Sequence, residues 1–257
     1  MIVGFIGSGN MAAAMARGWA GTEGDAPAEM LFTDSGSGRA TALAEETGGR
    51  AVESNVELVR QSDFVILAVK PGSLNEVAES IPAPRAVLSL LGATPLERLA
   101  DSFPDSTVIR LMPNLAVVAG RGVICMAEPE EADPGIVSDC KTLLGSIATV
   151  YELADRDMDV ATAVMGCSPA YFAVVAEALG SEGTAGGLEP DVAISMVAES
   201  MAGTAELLRR RTPFEIQTAV ASPGGSTEAG LEALAAADGA GAFRKAYEAS
   251  IVRMRGQ

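Results

Sequence analysis

I-V-G-F-I-G-S-G-N-M-A, Ile2 to Ala12, is an apolar run that stops at a glycine and passes directly into the Ala- and Met-rich stretch Asn10 to Trp19. The first part predicts a buried strand over Ile2–Ile6, and the second predicts a helix. Between them stands G-x-G-x-x-A. Gly7 permits the tight turn, Gly9 leaves the backbone open to a pyrophosphate, and Ala12 lets the helix pack close to the strand. An anion there would rest on the positive end of the helix without needing a basic side chain. The alternative is an ordinary glycine turn, and the strand-before, helix-after setting favours the dinucleotide fingerprint. Gly7, Ser8, Gly9, Asn10 and Met11 are the candidate cofactor contacts.

Outward from this point the same alternation continues. Met30–Thr33, Phe64–Ala68, Ala86–Leu90, Thr107–Leu111, Val123–Met126 and Ala148–Glu152 read as further strands, with Arg39–Thr47 a second helix and helical stretches between the others. Continuous apolar strands alternating with helices predict an α/β fold: a Rossmann-type, doubly wound, mostly parallel sheet covered on both faces. This dinucleotide-binding domain is assigned to residues 1–153. Beyond it strand signals vanish. Helical sequence is punctuated by Ser168–Pro169, Gly186–Gly187, Thr212–Pro213 and Pro223–Gly225, and Val192–Leu208 is apolar on nearly every face. Residues 154–257 are therefore expected to form an all-helical domain that packs against a second subunit.

Two loops extend the cofactor argument. After the second predicted strand come Asp34, Ser35, Gly36, Ser37, Gly38 and Arg39. Asp34 could accept from the adenosine ribose hydroxyls and so favour NAD, Ser35, Ser37 and Arg39 could instead hold a 2′-phosphate, and Asp34 could equally be a turn or helix-cap residue. A-V-K-P, Ala68 to Pro71, follows another strand end, where open α/β sheets bind ligands; Ala68, Val69, Lys70 and Pro71 join the candidates. A solvated loop lysine is the plain alternative for Lys70.

Composition narrows the chemistry. Among 257 residues there is no histidine, which excludes a Ser-His-Asp triad, a Cys-His dyad, a His-bound zinc and a His general base. No metal site is expected. With 18 Lys+Arg against 34 Asp+Glu, a net charge of −16 speaks against nucleic acid and anionic membrane as partners. The 3 cysteines, Cys125, Cys140 and Cys167, form no CxxC pair and suit a reduced, cytoplasmic protein. Neither a secretion signal nor an apolar run long enough for a membrane span is read in the sequence.

V-A-S-P-G-G-S-T-E-A-G-L, Val220 to Leu231, carries the chemistry of the helical half. Ser226 or Thr227 is expected to cap a helix, and N–H groups near Gly225, Ser226 and Thr227 form a nest suited to a carboxylate. Simple turn-and-cap chemistry is the competing account.

These motifs, taken together, resemble the pyrroline-5-carboxylate reductase family. They are F-I-G-S-G-N-M-A at Phe5–Ala12, A-V-K-P at Ala68–Pro71, R-L-M-P-N at Arg110–Asn114, G-C-S-P-A-Y-F at Gly166–Phe172 and S-P-G-G-S-T-E-A-G-L at Ser222–Leu231. The resemblance implies hydride transfer from NADPH or NADH to the cyclic imine 1-pyrroline-5-carboxylate, giving L-proline. It places the substrate carboxylate at Ser222, Gly224, Gly225, Ser226 and Thr227, with Thr227 hydrogen bonding to the imine nitrogen. A protonated imine is already a hydride acceptor, so the missing imidazole is no obstacle. Met112, Pro113 and Asn114 are expected to follow a strand end and shape the nicotinamide pocket, with the Asn114 amide available to the cofactor; Pro-Asn is also a common turn. The resemblance further implies a homodimer with intertwined helical domains, and leaves an oligomer of dimers open. Departures are Cys167–Ser168 where the family usually has Ser-Gly, Gly92–Ala93 in reversed order, and Asp34–Ser35 where NADPH-preferring members often have Asn/Ser-Arg. A β-hydroxyacid dehydrogenase fails for want of a helical-domain lysine in the required setting, since Lys245 stands outside one. Reduction of a related cyclic imine, or a non-catalytic NAD(P)-binding sensor, are the alternatives.

Overall fold

The computed structural model describes residues 1–22 and 24–256. Its first compact unit, Met1–Cys167 with the C-terminal stretch from Ile251, is built on an eight-stranded sheet of order β3-β2-β1-β4-β5-β6-β7-β8. The strands are β1 (Ile2–Ile6), β2 (Glu29–Thr33), β3 (Arg50–Ala51), β4 (Phe64–Leu67), β5 (Ala86–Ser89), β6 (Thr107–Pro113), β7 (Gly122–Ala127) and β8 (Ala148–Glu152). From β3 to β6 all neighbours are parallel; β7 runs antiparallel to β6, and β8 is parallel to β7. Strand order reverses direction between β1 and β4, the position at which doubly wound sheets open a ligand crevice beyond the strand C-termini. The predicted mostly parallel sheet is thus present.

Alternate residues of each strand feed opposite faces. Val3 and Phe5 of β1, Phe32 of β2 and Ile66 of β4 join Met15 and Trp19 of α1 (Asn10–Ala20), Leu43 of α2 (Arg39–Thr47) and Leu144 of α6 (Pro134–Gly145). Ile6, Leu31, Leu67 and Val87 face the other way, onto Leu58 of α3 (Asn55–Gln61), Leu74 of α4 (Leu74–Ser80) and Leu99 of α5 (Leu96–Ser102). Both faces being covered explains why the strands read as unbroken apolar runs. Trp19 donates its Nε1–H to the Leu143 carbonyl and the Ser146 hydroxyl, both at 3.1 Å, which locks α1 to the end of α6.

After β8 the chain makes α7 (Met158–Ala161) and a π-helical turn, Thr162–Gly166. Met158 and Met165 pack on Cys125 and Ala127 of β7, so these turns belong to the sheet's unit. The compact units accordingly divide at Cys167/Ser168, later than the end of β8 at Glu152, because apolar contacts and not strand content hold residues 154–167.

The second unit, Ser168–Ser250, contains α8 (Ser168–Ala185), α9 (Pro190–Leu208), α10 (Pro213–Val220), α11 (Ser226–Ala236) and most of α12 (Gly239–Met254). α8 and α9 form a hairpin in which Gly180 meets Ile194, and Thr212 with Glu215 makes a full capping box at the start of α10. The tyrosine of the S-P-A-Y stretch, Tyr171, hydrogen bonds with the Ser250 hydroxyl at 2.7 Å. Arg209 caps the end of α9 and pairs with Glu206, and Arg209–Arg211 are exposed. Among the described residues one helical run, Asp155–Ala185, is long and apolar enough in composition to cross a membrane.

Candidate functional site

Strand β1 delivers the chain into the glycine turn at the β1/β4 crevice. Gly7 has φ +96°, and a Cβ there would come within 2.7 Å of the Ala68 carbonyl oxygen, so only glycine fits. Gly9, the N-cap of α1, has nothing within 4 Å of a built Cβ; the space is open for a ligand. Ser8 is buried and donates its hydroxyl to the Thr33 carbonyl at 3.0 Å, which fixes the turn to the end of β2 and leaves the α1 N–H groups facing outward. The cradle therefore fits a dinucleotide pyrophosphate.

A cavity of about 560 Å³ lies over this turn and gathers Gly7, Ser8, Gly9, Asp34, Ser35, Ala68, Val69 and Lys70 from the predicted set, with Ser37, Arg39 and Asn55 beside them. Asn10 borders a neighbouring cavity with Arg17 and Arg39. Met11 turns toward the core instead, and Pro71 starts a 3-10 turn. Neither lines the cavity.

Asp34 is decided by its partners. Oδ1 accepts from the Gly36 N–H at 2.7 Å and the Ser37 N–H at 3.1 Å, and Oδ2 accepts from the Ser37 hydroxyl and the Ala40 N–H, both at 2.9 Å. The Ala40 N–H above all, aided by the Ser37 hydroxyl and the Gly36 and Ser37 N–H groups, holds this carboxyl below the usual carboxylate range against an opposing push from desolvation. Asp34 is thus the turn-and-cap residue of its loop, with all its bonds turned inward. Arg39 and Lys70 are exposed and form no ion pair among the described residues.

Two expectations about β6 are corrected. The strand runs on to Pro113, so Met112 lies inside it, opposite Cys125, and packs with the cluster beneath β7. The Asn114 amide is not available to a cofactor. Asn114 is buried, its Nδ2 donates to the Met165 carbonyl at 3.1 Å, and its Oδ1 accepts from the Val123 N–H at 3.0 Å. It is a strut between β6, β7 and the π-helical turn.

In the second unit the loop before α11 also departs from expectation. Neither Ser226 nor Thr227 caps the helix: Gly225 is the N-cap and no side chain accepts there. Gly224 sits at φ +72°, a left-handed position. Its N–H donates at 2.7 Å to Glu228, and the Gly225 N–H donates to the Ser222 carbonyl at 2.9 Å. The open donors are therefore the N–H groups of Ser226, Thr227 and Glu228, the first turn of α11. The Thr227 hydroxyl is half-buried and has no partner among the described residues. Sequence reasoning missed Glu228, although its position at the third residue of a helix, the capping-box acid, is a signal that could have found it.

Comparison with known proteins gives this geometry its context. Residues 155–257 match the family model described as pyrroline-5-carboxylate reductase dimerisation, and residues 2–91 match that of NADP oxidoreductase, coenzyme F420-dependent. The pyrroline-5-carboxylate reductase of Synechocystis is 32% identical over 90% of this chain and 89% of its own, and that of Thermus thermophilus is 32% identical over 98% and 97%. The chain belongs to the pyrroline-5-carboxylate reductase family. The 1-pyrroline-5-carboxylate reductase of Streptococcus pyogenes superposes with a TM-score of 0.89 at 27% identity, over 100% of this chain and 99% of that one. The Plasmodium falciparum pyrroline carboxylate reductase, solved with NADP bound, shares the fold at a TM-score of 0.85 and 23% identity, over 100% of this chain and 97% of that one. As a reductase of this family the chain thus carries a glycine cradle in its first unit and an unoccupied-donor helix start, at Ser226–Glu228, in its second.

Proposed function

We propose that the protein reduces 1-pyrroline-5-carboxylate to L-proline, prefers NADPH over NADH, and works as a cytoplasmic homodimer. The observation that carries this reading is the presence in one chain of an open glycine cradle at Gly7–Gly9 and a helix start where the Thr227 hydroxyl and the Ser226–Glu228 amides lack partners among the described residues.

The bound reduced nicotinamide supplies a hydride. The cradle of Gly7, Ser8, Gly9 and Asn10 would hold the pyrophosphate through α1's free N–H groups. At the other ligand, the Ser226, Thr227 and Glu228 N–H groups bind the carboxylate with the help of the helix dipole. Hydride received at the C=N carbon would send the π electrons to nitrogen, and a nitrogen already protonated would become the secondary amine. The Thr227 hydroxyl orients that nitrogen as acceptor or donor. No imidazole is required because the protonated imine needs no acid at the moment of transfer.

NADPH preference rests on Asp34. A carboxylate that already accepts four bonds from its own loop has little capacity left for ribose hydroxyls. The unpaired Arg39 and Lys70, with the Ser35 hydroxyl, leave that end of the cavity suited to a 2′-phosphate. The homodimer is supported by the exposed apolar faces of α8 and α9, and the cytoplasm by three unpaired cysteines. Supplying pyrroline-5-carboxylate with NADPH and, separately, NADH and following cofactor absorbance tests the reading. Faster oxidation of NADPH is expected; no oxidation of either would leave a binding protein without turnover.

A further inference from the structure

The loop Leu90–Pro95, between β5 and α5, is held from three sides. At its start the Leu90 N–H donates to the Leu67 carbonyl of β4 at 2.9 Å, so the loop stands beside the Ala68–Lys70 wall of the crevice. Beneath it, Ser89 and Thr94 are buried, with the Leu91 N–H donating to the Ser89 hydroxyl and the Thr94 hydroxyl to the Gly92 carbonyl. At its end, Asp155 Oδ2 accepts from the Leu96 N–H at 3.1 Å. That tie comes from across the sheet edge, and Asp155 is itself held by Arg110: Nη1 to Oδ1 is 2.8 Å. Arg110 lies in β6 opposite Ser89, is only 4% exposed, and has Asp159 at 3.6 Å as its second acid. Within the loop, Ala93 has φ +52°. A non-glycine residue persists in that region only where its surroundings fix it.

In a doubly wound sheet the two mononucleotide halves of a dinucleotide lie on either side of the switch point, here between β1 and β4. The cavity at Asp34 and Arg39 occupies the β2 side. The other half falls to the C-terminal ends of β4 and β5, where the Leu90–Pro95 loop is tied to the end of β4 beside Ala68–Lys70. A buried guanidinium that faces both Asp155 and Asp159, with Asp155 in turn tied to a loop N–H, is more than an ordinary surface turn needs. We infer that Arg110 and Asp155 are positioning residues for hydride transfer: they fix the Leu90–Pro95 loop and thereby the placement of the nicotinamide half, while dinucleotide affinity is set at the Gly7–Gly9 cradle. This rests on the reductase reading above.

Three variants and one control test it. Asp155→Asn breaks the charge pair. Leu96→Pro deletes the donor N–H at the first residue of α5, after a Pro95 whose ψ of 153° accepts a following proline, and Leu96→Ala, which keeps the N–H, controls for the core-packed leucine side chain lost with it. Asp159→Asn removes a neighbouring charge of Arg110 that does not touch the loop. With folding verified by native Trp19 emission, Asp155→Asn and Leu96→Pro are expected to lower kcat by about ten- to a hundredfold, as small misplacements of reacting groups do. Their Kd for NADPH should stay within about twofold, and the isotope effect with deuterated NADPH should rise, since the chemical step alone is slowed. Asp159→Asn should keep the wild-type kcat. Wild-type kcat in folded Asp155→Asn, an equal fall in Asp159→Asn, or a loss confined to Kd overturns the inference; if Asp155→Asn does not fold, Leu96→Pro decides. A wild type that oxidises no NADPH with the imine sinks the assigned reaction instead. Hydrogen exchange over residues 90–96 in the NADPH complex then decides: faster exchange in Asp155→Asn alone supports the tie, and unchanged exchange overturns it.

Discussion

Helices α1 and α9 are both rich in alanine and methionine, yet they spend those residues differently. α1 buries Met15, Ala16 and Trp19 against the sheet, whereas α9 buries Ala193 alone. The contrast extends to the units that contain them. Around the sheet the large apolar side chains are inside. In Ser168–Ser250, Phe172, Leu179, Met196, Phe214 and Leu234 are between 56% and 75% exposed. Soluble chains rarely leave such a set uncovered without a partner for it. One unit completes its core from its own chain; the other has the sequence of a core and the surface of half of one. The match of residues 155–257 to a dimerisation family is the counterpart of that geometry.

The largest effect should come from attacking the uncovered half. Leu179→Arg puts a charge where the homodimer would bury an apolar face, in both copies at once. Each lost leucine forgoes about 1.5–3 kcal/mol, and an unpaired buried charge adds several more. Sedimentation should show a monomer without activity, and far-UV circular dichroism should lose helix. Trp19, the sole tryptophan, sits in the self-sufficient unit and should keep its native emission. Loss of Trp19 emission in step with the helix would mean that the sheet unit is not independent.

Next in size is Thr227→Ala, which tests the substrate role proposed for the second unit against dinucleotide binding in the first. A hydrogen bond to a charged group is worth about 1.5–3 kcal/mol, so kcat/KM should fall by about ten- to a hundredfold. NADPH affinity should be unaltered in equilibrium dialysis. A parallel loss of affinity would make Thr227 structural.

How much of this was legible in the sequence follows from where each residue finds its partners. The strands announced themselves because both sheet faces are covered, and the glycine turn because Gly7 is sterically fixed. β3 escaped notice, being two residues, Arg50–Ala51, too short to show a strand pattern. Asp34 could not be settled by residue type, although its donors lie within six positions of it. Asn114 and Arg110 were beyond reach: their partners Met165 and Asp155 are 51 and 45 positions away. What composition did encode for the second unit was the presence of a missing core, and not which residues would meet it.

A smaller test stays inside the self-sufficient unit. Gly92–Ala93 reverses the order usual in the family, and the left-handed position falls on the alanine: Ala93 has φ +52°, while Gly92 needs no such freedom. The left-handed conformation costs an L-residue about 1–2 kcal/mol. Ala93→Gly should therefore raise the Trp19-monitored unfolding free energy by about 1 kcal/mol after the added entropy of the unfolded glycine is offset. The exchange should leave the melting of the helical unit unmoved, and a shift there would show the two units to be coupled in unfolding.

The smallest effect is a matter of pH, again within the first unit. The Asp34 carboxyl titrates below its ordinary range because the charged form is held by the Ala40 N–H and its loop neighbours. A group depressed in the folded state stabilises it fully above the unfolded pKa, near 3.9, and ceases to do so as pH falls through the lower folded value. Asp34→Asn removes that titration and leaves every other carboxylate in place. The difference in Trp19-monitored stability between the two proteins should thus be constant at neutral pH and shrink only below about pH 4. A difference that is flat to strong acid would mean that the four hydrogen bonds do not favour the carboxylate. The proposed preference for NADPH, which rests on an inward-turned Asp34, would then lose its physical basis while the cradle at Gly7–Gly9 would stand.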